Sequence, residues 1–228
     1  MARKKSKKGI LAQLVAVAFT LGILFGFTLA SIWIQGPPVL SLSSGDNYSR
    51  SITIVGVDKG TGEGKLATVT VGIRSGSGRL LVGVPPYENE DTQQAAANAS
   101  AAASLYTGVS LSAVDIVVTI ENMNSTTTIA GPSASAAMGV LMVAVINAAE
   151  NKTPNLVDQT AVVSASIDST GKLNQVGDIA AKYSAVEEAG GYSEFIVSSG
   201  QAGAIQTSPN LSVLRAGNLQ SLAGYVLI

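Results

Sequence analysis

Ser133 stands at the head of a run of small and apolar residues, Ala130-Gly131-Pro132-Ser133-Ala134-Ser135-Ala136-Ala137-Met138. A serine hydroxyl becomes a nucleophile only with a base beside it. The chain contains no histidine and no cysteine. That excludes a Ser/His/Asp triad, a cysteine nucleophile, a disulfide framework and zinc sites built from those ligands. Any hydrolytic chemistry must use another base, and a neutral lysine amine can take a proton from a serine. Lys182 is the candidate. On a helix starting near Asp178, Ile179, Lys182, Val186 and Ala189 recur at spacings of three and four, which places the lysine on the apolar face. Desolvation there lowers the proton affinity of an amine, and the positive end of the helix dipole acts in the same direction. Lys152 and Lys172 lie in polar turns and read as solvated.

On these residues alone two plainer readings stay open. Ser133 can be an ordinary polar residue opening a helix, and Lys182 can carry its ammonium out to water along an aliphatic stem.

The elements that must position this pair form an α/β pattern without repeats. β-branched, alternating segments predict strands over residues 51–57, 67–73, 79–84, 114–120, 161–167, 194–198 and 211–214. A glycine-rich turn over 59–65 joins the first two. Helices are predicted over 91–105, with Asp91 as a cap, over 132–149 and over 178–189, ended by Gly190-Gly191. A short helix after Gln201 and a last helical turn over 219–223 complete the set. The segment from Pro132 carries few polar side chains and is expected to be buried on most sides. Pro132 suits the first helical position, and backbone N–H groups around Gly131, Pro132 and Ala134 are the expected oxyanion donors at that helix end. The small residues at 131, 134 and 136 are expected to admit a peptide backbone.

Topology is read from the N-terminus. Arg3, Lys4, Lys5, Lys7 and Lys8 precede an uncharged, largely apolar stretch over 10–34, and about 20 residues suffice for a helix to cross a bilayer. The basic residues hold the N-terminus in the cytoplasm and direct the rest outside. The expected order is a cytoplasmic tail over 1–9, one transmembrane anchor over 10–34, a linker over 35–49 and a single domain over 50–228. A signal peptide is the other reading, but its apolar region is usually shorter, about 7 to 15 residues. Beyond the anchor nine basic side chains face fifteen acidic ones, a balance of −6, so a nucleic-acid partner is not expected. Asn-x-Ser/Thr sequons at Asn47, Asn98, Asn124, Asn151 and Asn210 are compatible with an exported surface.

Gly131-Pro132-Ser133-Ala134 with Ala137-Met138, and Gly177-Asp178-Ile179-Ala180-Ala181-Lys182 after Gly171-Lys172-Leu173, resemble the proteolytic domain of Lon proteases. Asp115 to Glu121 is similar to the strand before that family's catalytic loop, and 185–190 to the end of its lysine-bearing helix. The similarity spans about residues 50 to 225. It implies a mixed sheet with packed helices, Ser133 as nucleophile, Lys182 as base, no cofactor and no metal. It also places Ser164 where the family has a threonine bonded to the catalytic lysine, a role a serine hydroxyl can fill. A strand serine facing solvent or a neighbouring strand is the alternative for Ser164. Ala130 and Ser166 replace acidic residues of the family pattern, and the chain carries no nucleotide-binding motif. The resemblance thus implies a membrane-anchored, ATP-independent serine endopeptidase acting on exposed or unfolded polypeptide. A homo-oligomeric ring, a hexamer by resemblance, is expected with it. The competing expectation is a catalytically silent module of the same fold with a binding or assembly role.

Overall fold

Apolar side chains at every second position of several segments build one layer with two buried faces. The computed structural model describes residues 36–58, 60–83, 90–121, 127–128, 131–201, 205 and 208–228. The chain divides into two units, Met1–Pro38 and Val39–Ile228. The basic tail over 1–9 and the anchor expected over 10–34 lie outside the described residues. Within the stretch read as linker, Val39 bridges to Ser110 and Leu40 is buried.

In chain order the second unit contains β1 (Asn47–Asp58), β2 (Gly64–Ser75), β3 (Leu80–Gly83), α1 (Glu90–Thr107), β4 (Val114–Glu121) and β5 (Thr127–Thr128). A 3-10 turn (Gly131–Ala134) then leads into α2 (Ser135–Ala149). β6 (Ala161–Ser164), β7 (Ser166–Ile167), β8 (Leu173–Asn174), α3 (Ile179–Ala189), β9 (Glu194–Ser198), β10 (Ser212–Ala216) and α4 (Leu219–Val226) follow. The domain is a mixed α/β structure. Its main sheet runs β10-β9-β6-β1-β2-β4-β3. β1 and β2 form an antiparallel hairpin, with Asn47 opposite Arg74 and Val57 opposite Gly64. β6, β9 and β10 join β1 in parallel, and β3 lies parallel to β4 at the other edge. β5 pairs with Val57 and Asp58 of β1, beyond the place where β6 ends.

The two faces of the sheet carry different layers. Ile52, Ile54, Val69, Val71, Val118, Val163 and Ile196 share one core with α1, α2 and α4. Val55, Val162, Phe195 and Val197 share a second, smaller core with Ile179, Tyr183 and Val186 of α3. β6 shows the alternation within three residues: Ala161 and Val163 face the first core and Val162 the second. The stretch Pro132–Ala149 is long and apolar enough to cross a membrane, yet 83% of it is buried inside the domain. Its lack of a polar face follows from being enclosed by helices on one side and the sheet on the other.

Several expected boundaries move for local reasons. The helix expected from Asp91 begins at Glu90, so Asp91 sits inside the first turn and not at the cap. The strand expected over 161–167 breaks at Ala165, whose carbonyl accepts the N–H of Ala136 from α2 (3.3 Å). Beyond the break, Ser166 and Ile167 pair with β8 in a separate two-stranded sheet. The strand expected over 211–214 is Ser212–Ala216. The last helical turn extends to Val226, started by a capping box in which the Asn218 side chain accepts the Ser221 N–H (2.9 Å). The short helix expected after Gln201 falls mostly outside the described residues.

One charged contact ties the turn before β3 to the sheet. The Asp115 carboxylate, 1% exposed, accepts the N–H groups of Ser77 and Arg79 on one oxygen and two guanidinium N–H groups of Arg79 on the other. These bonds favour the ionised carboxylate and hold its pKa at about 2. The stabilisation is present above the ordinary carboxyl value of 3.8 and is lost as pH falls from there through about 2. Asp115→Asn is expected to lower the melting temperature by several degrees at pH 7. Melting curves should show the gap between variant and wild type closing as pH drops below 3.8.

Candidate active site

Ser133 sits in the 3-10 turn, 6% exposed, and α2 begins two residues later. The expectation of a regular helix from Pro132 is therefore corrected: Pro132 and Ser133 belong to the tighter turn. Pro132 has no N–H to offer an oxyanion and contributes only shape. Ala134 and Ala136 are buried in the main core, so their small size serves packing and not access for a peptide. Gly131 begins the turn.

Ser135, which no motif in the sequence marks, explains how the turn is held. Its hydroxyl donates to the Pro132 carbonyl (2.7 Å) and accepts the Ile167 N–H (2.9 Å). Together with the Ala136–Ala165 bond, this pins the turn to the chain leaving β6. Both functions of that hydroxyl are occupied, which removes Ser135 as a rival nucleophile. Its signal in the sequence was only a second serine two places after the first.

Lys182 approaches from the other face of the sheet. It is 4% exposed and is the one buried cation among the described residues; Lys152 and Lys172 are exposed, as expected. The buried side of α3 consists of Ile179, Lys182, Tyr183 and Val186. Ala189, assigned to that side from its spacing, is exposed because the helix runs past the sheet into Gly190-Gly191. Burial lowers the proton affinity of Lys182, opposed by the charge of Asp178. Among the described residues no carboxylate pairs with its ammonium.

Close packing of α3 depends on Gly64 at the start of β2. A Cβ there would lie 2.5 Å from the Ala181 carbonyl oxygen and 2.6 Å from the Ala185 methyl. The glycine thus lets the turn of helix beside Lys182 rest directly on the hairpin. Tyr183 anchors the same helix on its other flank, donating to the Leu211 carbonyl (3.2 Å) and accepting the Ser208 N–H (2.9 Å). Upstream, the Gln201 side-chain amide holds both the N–H and the carbonyl of Val176 at 3.0 Å. Neither clamp carries a motif, since each joins residues 25 positions or more apart.

Ser164 ends β6, 1% exposed, with no hydrogen-bond partner for its hydroxyl among the described residues. By the alternation of β6 it shares with Val162 the face on which α3 packs. A buried unpaired hydroxyl is costly and rare. Its position fits an acceptor kept for an amine on that face. Ser133 and Ser164 thus come to the same end of β6, and the helix bearing Lys182 covers one face of that strand. Ser166, like Ala130, contributes no charge. The described residues hold no group of three or more acidic side chains arranged for a metal ion.

The sequence matches no protein-family model and no curated protein. The resemblance to Lon proteases therefore rests on the motifs themselves.

Two outcomes test this geometry. Gly64→Ala is expected to destabilise the domain by about 1–3 kcal/mol, because backbone must move to admit the methyl; denaturant titration measures it. Lys182→Met keeps the volume and removes the buried charge, and should raise the melting temperature at pH 7 by about 2–8 °C. The unfolded chain binds the Lys182 proton more tightly than the folded one. Wild-type stability therefore rises with pH between the lowered folded value and 10.5, and the advantage of the methionine shrinks over that window.

Proposed function

We propose that the domain is a serine endopeptidase in which neutral Lys182 activates Ser133. The observation that carries this reading is the burial of Lys182 with no ion pair among the described residues, in a domain whose other described lysines reach solvent. A helix with a purely architectural role would be more stable with an apolar residue there.

In the reaction, Lys182 Nζ takes the proton of Ser133 Oγ as the oxygen attacks a peptide carbonyl carbon. Backbone N–H groups of the turn hold the resulting oxyanion. The tetrahedral intermediate collapses to an acyl-enzyme, and the Lys182 ammonium gives its proton to the departing amine. Water then attacks the acyl group, Lys182 takes the proton of that water, and the proton passes to Ser133 Oγ as the carboxylic acid leaves. Ser164 accepts a hydrogen bond from the amine and orients its lone pair.

The domain takes an α/β form with a mixed sheet, which suits the proteolytic domain of Lon proteases. In this proposal it acts outside the cell membrane, held by the apolar segment over 10–34, and cleaves exposed or unfolded polypeptide without ATP. A homo-oligomeric ring belongs to the same proposal. A silent module with a binding role is the second reading, favoured by Ala130 and Ser166 standing where the resembled family has acidic residues.

The two readings separate on cleavage of an unfolded protein by the full-length chain. Ser133→Ala and Lys182→Ala should each reduce the rate by about 10³-fold or more. Wild-type rate should rise with pH as Lys182 loses its proton and level off below 10.5. Equal cleavage by all three proteins eliminates the dyad, and failure of a serine-directed covalent probe to label Ser133 at any pH in a folded sample establishes the silent module.

A further inference from the structure

Helix starts ordinarily rely on a side-chain cap, since their first N–H groups have no partner within the helix. α3 has none: Asp178 stands before it in a left-handed backbone conformation, φ 56° and ψ 32°, and its side chain accepts no hydrogen bond from the helix start. The first bond of the helix is that of the Lys182 N–H to the Asp178 carbonyl (3.1 Å). Lys182 therefore closes the turn that frays first. Once that turn unwinds, the aliphatic stem of the lysine is free to carry its ammonium to water.

What holds the turn lies two residues upstream of Asp178. Gln201 Oε1 accepts the Val176 N–H and Gln201 Nε2 donates to the Val176 carbonyl, both at 3.0 Å. One side-chain amide thus satisfies donor and acceptor of the same backbone residue, as a neighbouring strand does in a sheet. Gln201 is itself fixed. It is 8% exposed, its N–H donates to the Ser198 carbonyl (2.9 Å), and Arg215 donates to its own carbonyl (3.0 Å). Ser198 ends β9 and Arg215 lies on β10, so the clamp ties the approach to α3 to the parallel edge of the main sheet. Ser198 adds a second tie, its hydroxyl donating to the Leu173 carbonyl (3.2 Å). The bonds of Tyr183 to Leu211 and Ser208 act beyond Lys182 and leave the first turn to these upstream contacts.

We propose that Gln201 is a positioning residue for Lys182: by clamping Val176 it keeps the first turn of α3 wound and the amine buried against the face of the sheet that α3 covers. The consequence for Ser133 rests on the peptidase reading, whereas the clamp does not. Without the clamp, α3 would still pack through Ile179, Tyr183 and Val186. Its first turn would open, and the amine would spend part of its time in water with the ordinary proton affinity of a lysine.

The test is amide hydrogen exchange and side-chain titration by NMR in the full-length chain, with Lys182 assigned by its loss in Lys182→Met. Gln201→Met keeps the length of the side chain and removes both bonds. It alters no charge, so Asp58 on β1, Lys65 on β2, Asp178, Glu187, Glu188 and Arg215 stay as they are. The Lys182 N–H should exchange about ten-fold faster or more than in the wild type. The Lys182 midpoint should rise toward 10.5 by about 0.5–1 of a pH unit, and the pH of half-maximal covalent labelling of Ser133 should rise with it. Asp115→Asn, which weakens the domain near the opposite edge of the sheet, should move neither midpoint.

Gln201→Glu supplies the rescue. Above the titration of its carboxyl, ordinarily about 4.3, it turns two acceptors toward Val176 and breaks the clamp; below it, the protonated group donates to the Val176 carbonyl and Lys182 N–H exchange should return to the wild-type rate at the same pH. This variant carries the test alone where Gln201→Met does not fold. An unmoved exchange rate or midpoint in Gln201→Met, wild-type exchange in Gln201→Glu at pH 7, or a midpoint that rises as far in Asp115→Asn overturns the proposal. A midpoint that rises in Gln201→Met while Ser133 stays unlabelled in every protein upholds the role of Gln201 and removes the peptidase reading.

Discussion

An amine taken out of water must either lose its proton or find a counter-charge, and the second layer of this domain is organised around that condition. Lys182 is buried on a helix whose Ile179, Tyr183 and Val186 pack with Val55, Val162 and Phe195, and that helix is tied down at three points. Gly64 brings the helix backbone onto the β1–β2 hairpin, Tyr183 holds the 208–211 segment against it, and Gln201 fixes the chain that leads into it. None of these contacts neutralises the ammonium. They deny the side chain the freedom to reach solvent, which is the escape open to a lysine at a loosely packed helix end.

The serine is held by different means. Its turn belongs to the apolar first layer, where α2 is enclosed by sheet and helices, and Ser135 fastens the turn to the strand leaving β6. Two layers therefore converge on the end of one four-residue strand. Within β6, Val163 joins the core of the helix that follows Ser133 and Val162 that of the helix bearing Lys182, with Ser164 completing the latter face. A one-residue slip of β6 would exchange those faces and separate the site into unrelated parts.

Much of this was legible in the residues. The helix starting at Ile179, the enclosed character of α2 and the strands of the β1–β2 hairpin followed from periodicity alone, because each repeats over many residues. The burial of Lys182 was readable from its neighbours at three and four positions. What the sequence did not disclose was set by contacts distant along the chain. The break at Ala165 arises from a bond to Ala136, and the 3-10 turn from the competition of Ser135 for the Pro132 carbonyl. Ala189 fell on the wrong side because helical spacing says which residues share a face but not where the partner surface ends. The left-handed residue before α3 was hidden for another reason: Gly177 beside it would have been the natural occupant of that conformation.

Enclosure of α2 has a consequence for motion. A segment buried along nearly its whole length exchanges its amide hydrogens only when the domain as a whole opens, since no smaller unit can release it. Ser133 is carried at the head of that segment and inherits its stillness. In the proposed reaction, adjustments that bring Ser133 and Lys182 together must then come from the thinner layer, where one short helix and its tethers face the solvent on their outer side. In the proposed mechanism Ser133 is the fixed reference point, and any gating resides in the part of the molecule that bears Lys182.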